Sequence, residues 1–101
     1  MKRYNARILS SAYNDLKNAR KWYGQHNHEL PRRFREQVSS CVERIKSNPF
    51  SYAVKYKNVH IANLRVFPYA VHYMIDEKNR SVVIIAIHHA SLSPERWEER
   101  T

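Results

Sequence analysis

Apolar positions along the chain recur first at steps of three and four and later at steps of two, so the sequence divides into a helical half and a sheet half. Ahead of the helical half, residues 4 to 9 (Tyr-Asn-Ala-Arg-Ile-Leu) alternate imperfectly, which predicts a short strand. Ser10 and Ser11 follow as N-cap candidates, because a hydroxyl can accept from a backbone N–H that lacks a helical partner. Ala12, Leu16, Ala19 and Tyr23 then form one apolar face. Asp15 stands near the positive end of the helix dipole, and Arg20 and Lys21 lie further along. Gly24, the only glycine, predicts a helix end in a left-handed residue.

After the polar link Gln25 to Glu29, Pro31 suits the first turn of a second helix, where its missing N–H has no helical partner to lose. Leu30, Phe34, Val38, Cys41, Val42 and Ile45 make the apolar stripe of this helix, and Arg32, Arg33, Arg35, Glu36, Glu43, Arg44 and Lys46 occupy its other faces. Asn48-Pro49 stops it after about Ser47, since the residue before proline avoids helical geometry. The short link predicts an antiparallel hairpin of helices.

From Tyr52 onward β-branched and aromatic residues dominate, and the period of two predicts strands at about Tyr52 to Tyr56, Ile61 to Phe67, Tyr69 to Ile75 and Ser81 to Ile87. Asp76-Glu77-Lys78-Asn79 reads as a hairpin turn. The run from Val82 to Ile87 lacks alternation, which predicts a central strand with much of both faces covered. Ser91 to Thr101 is polar, with Trp97 as its one anchor. The expected fold is α+β: a two-helix hairpin packed on one face of a twisted antiparallel sheet of three to four strands, forming a single domain over residues 1 to 101.

Charge narrows the choice of partner. Lys and Arg number 18 against 9 Asp and Glu, a net charge of +9, which points to an anionic partner such as nucleic acid or an acidic protein. Residues 1 to 48 hold eleven basic and four acidic side chains (+7), and residues 49 to 101 hold seven and five (+2), so most of the excess lies in the N-terminal half that contains the helices. Cys41 is the only cysteine, which excludes an intramolecular disulfide and a thiolate metal cluster and fits a reducing compartment. Met1 to Leu9 lacks the continuous apolar run of a secretory signal, and no stretch approaches a membrane span. A cytoplasmic protein with no membrane partner is expected.

Few residues suggest chemistry by themselves. His26 and His28 flank Asn27 in the inter-helix link as a spaced pair of metal ligands, but nothing nearby completes a site, so no metal and no cofactor is expected. His88 and His89 point to opposite faces of a strand and cannot chelate one ion together. Cys41 reads as a core residue. Tyr52, Tyr56, Tyr69 and Tyr73 either stack on nucleobases or lie half-buried in the sheet.

The segment Leu64-Arg65-Val66-Phe67-Pro68-Tyr69-Ala70-Val71-His72-Tyr73-Met74-Ile75-Asp76 carries the pattern Arg, aliphatic, Phe, Pro, Tyr, leading into a strand that ends in an aliphatic-Asp turn. It resembles the RelE/ParE toxin superfamily, especially its ParE-like, plasmid-stabilisation branch. Ile84-Ile85-Ala86-Ile87-His88-His89, followed by Pro94 and Trp97, looks like that family's final strand and the residues after it. Ala12, Asp15-Leu16, Trp22-Tyr23, Phe34 and Asn48-Pro49 fall where the family's helix hairpin has similar types. One position departs: the family commonly has an Arg two residues before the C-terminal Pro, and this chain has Leu92.

The resemblance implies the toxin of a type II toxin-antitoxin system, neutralised by a cognate antitoxin and reaching operator DNA only within the antitoxin complex. Its ParE-like reading is inhibition of DNA gyrase by surface contacts, with Arg65, His89, Pro94 and Trp97 as target-binding candidates. Its RelE-like reading is a metal-independent endoribonuclease acting on mRNA at the ribosome, which needs Arg65, His89 and Lys55, or Lys57, to converge on a phosphate. Against both stands the plainer reading, in which Arg65 and His89 fix the tail and the lysines are solvated. The basic hairpin, through Arg20, Arg32 and Arg35, is the expected antitoxin surface, with a strand or helix of the partner along an exposed sheet edge.

Overall fold

The computed structural model describes residues 3–91. The chain runs β1 (Asn5–Ile8), α1 (Ser10–Gly24), α2 (Leu30–Ser47), a short 3-10 turn (Pro49–Ser51), β2 (Val54–Tyr56), β3 (Val59–Asn63), β4 (Tyr69–Asp76) and β5 (Ser81–His89). Among the described residues the strands form one sheet of five in the order β1-β5-β4-β3-β2. β2, β3, β4 and β5 pair antiparallel, as expected, and do so in chain order as a meander. β1 adds a fifth strand and pairs parallel to β5, so the sheet is mixed and larger than the three to four antiparallel strands read from the sequence. The physical reason is connectivity: the helix hairpin and the meander separate β1 from β5, and a crossover of that length permits parallel pairing.

Both helices turn their apolar stripes to one face of the sheet. Ala12, Ala19, Phe34, Val38, Cys41 and Ile45 are buried against Ala62, Val71, Tyr73, Val82, Ile84 and Ile87, with Leu16, Tyr23, Leu30 and Val42 partly buried around them. The opposite face holds a second, smaller cluster of Tyr56, Val59, Ile85 and Ala86. The two clusters explain the missing alternation in β5. His72 pairs with Ala86 and Tyr73 with Ile84, leaving Ile85 as an extra residue. This bulge puts Ile85 and Ala86 together on the second face and returns Ile87 to the helix side. β5 is therefore central and covered on both faces, as its composition predicts.

Helix ends differ from the sequence reading. Ser10 and Ser11 lie inside α1, the cap position belongs to Leu9, and no side chain caps the helix. β1 stops at Ile8, so the edge of β5 beyond Ile84 needs other partners. The first turns of α1 supply them. Leu9 N–H donates to the Ile84 carbonyl (3.0 Å), Ser11 Oγ donates to the Ile85 carbonyl (2.8 Å), and the Asp15 carboxylate accepts from Ile87 N–H (2.9 Å). Gly24 does end α1, but not in the left-handed region, since no glycine has positive φ. A Cβ on Gly24 would lie 3.3 Å from Cγ of Pro31, so the absent side chain lets the end of α1 approach the start of α2.

β2 and β3 depart furthest from the expected bounds. Tyr52 precedes β2 rather than opening it, and its carbonyl accepts from His60 Nδ1 at 2.6 Å. β3 ends at Asn63, so Arg65 lies on the exposed loop between β3 and β4 and not on an inner strand. Leu64 and Phe67 of that loop are buried and anchor it to the core. No helix among the described residues is long and apolar enough to cross a membrane.

Candidate functional site

The sheet face away from the helices carries a buried polar cluster with side chains from β2, β4 and β5, Tyr56 of β2 reaching His72 of β4 across the intervening β3. Tyr56 Oη and His72 Nδ1 are 2.9 Å apart, and the rings of His72 and His88 meet edge-to-face with centroids 5.0 Å apart. Strand register makes room for them. His72 stands opposite Ala86, and His88 opposite Ala70, so each imidazole faces a methyl group across the ladder. Beside this cluster Lys55, Ile61, Asn63, Ala70, His72 and His89 line a hollow of about 290 Å3. Lys55 is exposed and lines this hollow together with His72 and His89.

His89 ends β5 and also lines a second hollow of about 390 Å3 with Trp22, Tyr23, Pro68 and Tyr69. Its Nδ1 is 3.1 Å from Ser91 N, whose N–H donates to it, and 2.7 Å from Ser91 Oγ. With Nδ1 accepting, the proton of the neutral ring sits on Nε2.

The remaining sequence candidates are dispersed. Arg65 lines an open groove against α2 with Glu36, Ser39, Ser40, Glu43 and Arg44, and neither Lys55 nor His89 shares that groove. Lys57 occupies the β2–β3 turn in the left-handed region (φ 41°), followed by Asn58 (φ 62°). It lines a hollow with Leu9, Ser11, Val59, Met74 and Ile85. Lys55 and His89 are thus brought together, and Arg65 is not brought to them. Leu92, Pro94 and Trp97 lie outside the described residues.

On the hairpin, Arg32 is tied to Glu36 one turn on (2.7 Å), and Arg35 rims an apolar groove of about 160 Å3 lined by Ile8, Leu16, Val38 and Val42. Arg20 buries its Nε, which has no hydrogen-bond partner among the described residues. Of the other residues weighed for chemistry, Cys41 is fully buried, and burial pushes its thiol up against the weaker opposing effect of Arg44, which suits a core thiol and not a nucleophile. Tyr73 is buried, with its hydroxyl donating to the Pro49 carbonyl at 2.6 Å. Burial also pushes the Tyr73 phenol well above the usual tyrosine range. His26 bonds to the Trp22 carbonyl (3.1 Å). Among the described residues no three His, Cys, Asp or Glu side chains gather in a group able to hold a metal ion.

Sequence reasoning missed His72 and Tyr56 as partners and Trp22 as a hollow-lining residue. A histidine in the middle of the apolar run of β4 is the signal that points to His72. Its partner sixteen residues away is visible only through strand pairing.

No curated protein matches the chain. Solved structures do match in fold. The chain is 16% identical to an E. coli RelE mutant in the free state, with a TM-score of 0.71 over 97% of this chain and 94% of that one. It is 15% identical to a chain of a chromosomal ParDE toxin-antitoxin system from P. aeruginosa, with a TM-score of 0.65 over 87% and 97%. For the RelBE2 toxin-antitoxin complex from Mycobacterium tuberculosis the identity is 23% and the TM-score 0.61, over 90% and 97%. A family model matches residues 6–93, nearly the whole described chain, and that model is the ParE toxin of the type II toxin-antitoxin system parDE. The chain therefore belongs to the ParE toxin family within the RelE/ParE superfamily, and it is the toxin of a type II toxin-antitoxin system.

Proposed function

We propose that this toxin acts in the cytoplasm by binding and inhibiting DNA gyrase, and that a cognate antitoxin neutralises it. The match to the parDE toxin model over residues 6–93 is the observation that carries this reading. The separation of Arg65 from Lys55 and His89 supports it further, because a ribonuclease built on those three side chains needs them around one phosphate. Surface contacts suffice for an inhibitor that performs no chemistry of its own. The antitoxin docks across the helix hairpin, where Arg35 rims the apolar groove between Leu16 and Val38, and reaches the nearby sheet edge at β1.

A supercoiling assay with purified gyrase tests the proposal. Toxin in excess is expected to stop supercoiling or to accumulate cleaved DNA, and addition of antitoxin is expected to restore activity. Unchanged supercoiling at toxin excess would reject the gyrase target.

One observation favours a second reading, a RelE-like endoribonuclease acting on mRNA at the ribosome. Lys55, His72 and His89 share a hollow, and His89 offers an Nε2–H donor there. A cell-free translation extract separates the two readings: mapped mRNA cuts that disappear in Lys55→Ala and His89→Ala toxin would establish the nuclease, and intact mRNA would remove it.

A further inference from the structure

We propose that the open groove between α2 and the β3–β4 loop docks an acidic segment of the toxin's protein target, with Arg44 and Arg65 taking its carboxylates. The proposal rests on the reading of the toxin as an inhibitor that works by surface contact. It uses neither Lys55 nor His89, which line other hollows.

Glu36, Ser40 and Arg44 follow at steps of four along α2, with Ser39 and Glu43 beside them, so a single helix face makes one wall of the groove. Arg65 makes the other, from a loop with a fixed backbone. Leu64 and Phe67 flank the exposed pair Arg65 and Val66 and are themselves buried, and Leu64 N–H donates to the Tyr69 carbonyl at 2.9 Å. Arg44 is half-buried, and its Nε donates to the Tyr52 hydroxyl at 3.4 Å, which orients the guanidinium.

Two carboxylates also line the groove, but each already has a cation from outside it. Glu36 pairs with Arg32 at 2.7 Å, and Glu43 pairs with Arg3 and, at 3.2 Å, with Lys46. Among the described residues neither Arg44 nor Arg65 has a carboxylate partner, and the hydroxyls of Ser39 and Ser40 make no hydrogen bond. The groove therefore presents two cations and two hydroxyls to a ligand.

Chemistry and charge select the partner. The groove encloses about 570 Å3 and has no aromatic side chain in its lining, so a nucleobase finds nothing there to stack on. A uniformly anionic backbone would also meet Glu36 and Glu43. A second copy carries the same +9 and is repelled. A polypeptide with acidic side chains fits, pairing its carboxylates with the arginine forks and its amides with the hydroxyls. The neighbouring groove of Leu16, Val38 and Val42 is apolar, which suits a lasting partner such as the antitoxin, whereas hydroxyls and charges suit an encounter that forms and dissolves. Ser39 lines both grooves, so an antitoxin seated in the first obstructs entry to the second.

The full-length toxin with Arg65→Glu tests the idea through three readouts: growth arrest on induction, inhibition of purified gyrase, and affinity for the antitoxin. The toxin concentration that halves supercoiling is expected to rise about tenfold or more, the effect of breaking a charge pair across an interface, and growth arrest should weaken with it. Arg65→Lys should keep part of the potency, since a cation remains without the fork. Ser40→Glu, which sets a carboxylate beside Arg44, should lower potency independently. Melting temperature and antitoxin affinity should stay at wild-type values in all three variants, which shows that they fold. Growth arrest by wild type without gyrase inhibition would reject gyrase alone, and the groove would then be judged on growth arrest. The proposal is overturned if Arg65→Glu and Ser40→Glu arrest growth at wild-type potency, or if wild type arrests nothing. A tenfold loss of antitoxin affinity in Arg65→Glu with potency intact would assign the groove to the antitoxin and also overturn it. So would binding of an oligodeoxynucleotide that falls in Arg65→Glu by the same factor as potency, since the partner would then be a nucleic acid.

Discussion

The carboxylate of Asp15 in α1 accepts a hydrogen bond from the backbone N–H of Ile87 in β5, across 72 positions of sequence and at 2.9 Å. It stands where a longer β1 would have supplied a carbonyl. Asp15→Ala leaves a part-buried N–H without this partner and is expected to cost about 1.5–3 kcal/mol, the range for hydrogen bonds to charged groups. Asp15→Asn keeps an acceptor and should cost less. Chemical denaturation measures both, and amide exchange at Ile87 should accelerate in the alanine variant. Unchanged exchange there would show that the carboxylate does not protect this edge.

Phe34 is fully buried between the helices and the sheet, with its ring 5.4 Å from Tyr23, 5.1 Å from Phe67 and 5.0 Å from Tyr69. Truncation removes an aromatic contact from each of these neighbours. Phe34→Ala should lower stability by about 3–5 kcal/mol. A loss under 1 kcal/mol in equilibrium unfolding would mean that the site collapses to fill the space.

Tyr73 couples stability to alkaline pH. Burial raises its phenol pKa in the folded state above the unfolded value of about 10. Stability from this group is therefore fully present below pH of about 10 and falls as pH rises beyond it, because the unfolded chain releases the proton first. Tyr73→Phe should abolish this part of the alkaline loss. It should also cost about 1–3 kcal/mol at neutral pH by leaving the Pro49 carbonyl without its donor. Tyr23 and Tyr69, also raised by burial, keep a residual slope in the variant. Equal slopes in wild type and Tyr73→Phe above pH of about 10 would assign the effect to those two residues alone.

Charge reversal tests the antitoxin surface. Arg32→Glu with Arg35→Glu should slow association with the antitoxin more at low salt than at high salt, since exposed charge mainly steers encounter. Val38→Ala, beneath Arg35 in the groove, should chiefly speed dissociation. Association rates that ignore both the reversal and the salt would move the docking face away from the hairpin.

Much of the architecture was legible because local pattern and burial agree. The stripe Phe34, Val38, Cys41 and Ile45 turns inward where its spacing predicts, and Asp76 to Asn79 opens the turn between β4 and β5. Family membership was legible in Arg65 to Asp76 and in Ile84 to His89, although those residues have no single spatial role. The site was less legible. Arg65 and His89 belong to the same family wording, yet the loop after Asn63 carries Arg65 to α2 and the strand carries His89 to the sheet end.

The sequence by itself determined the helix hairpin, the antiparallel strands of the second half, the basic excess of the N-terminal half and the two-sided burial of β5, because periodicity and charge act between near neighbours. Tertiary structure alone decided that β1 joins β5 in parallel and that Ile85 bulges. It also decided that Asp15 and Ser11 complete an edge, and that His72 meets Tyr56 and His88 while Lys55 shares a hollow with His89. Each of those depends on strand register. Register is set by how distant segments satisfy one another's backbone groups and volumes, a condition no local window contains.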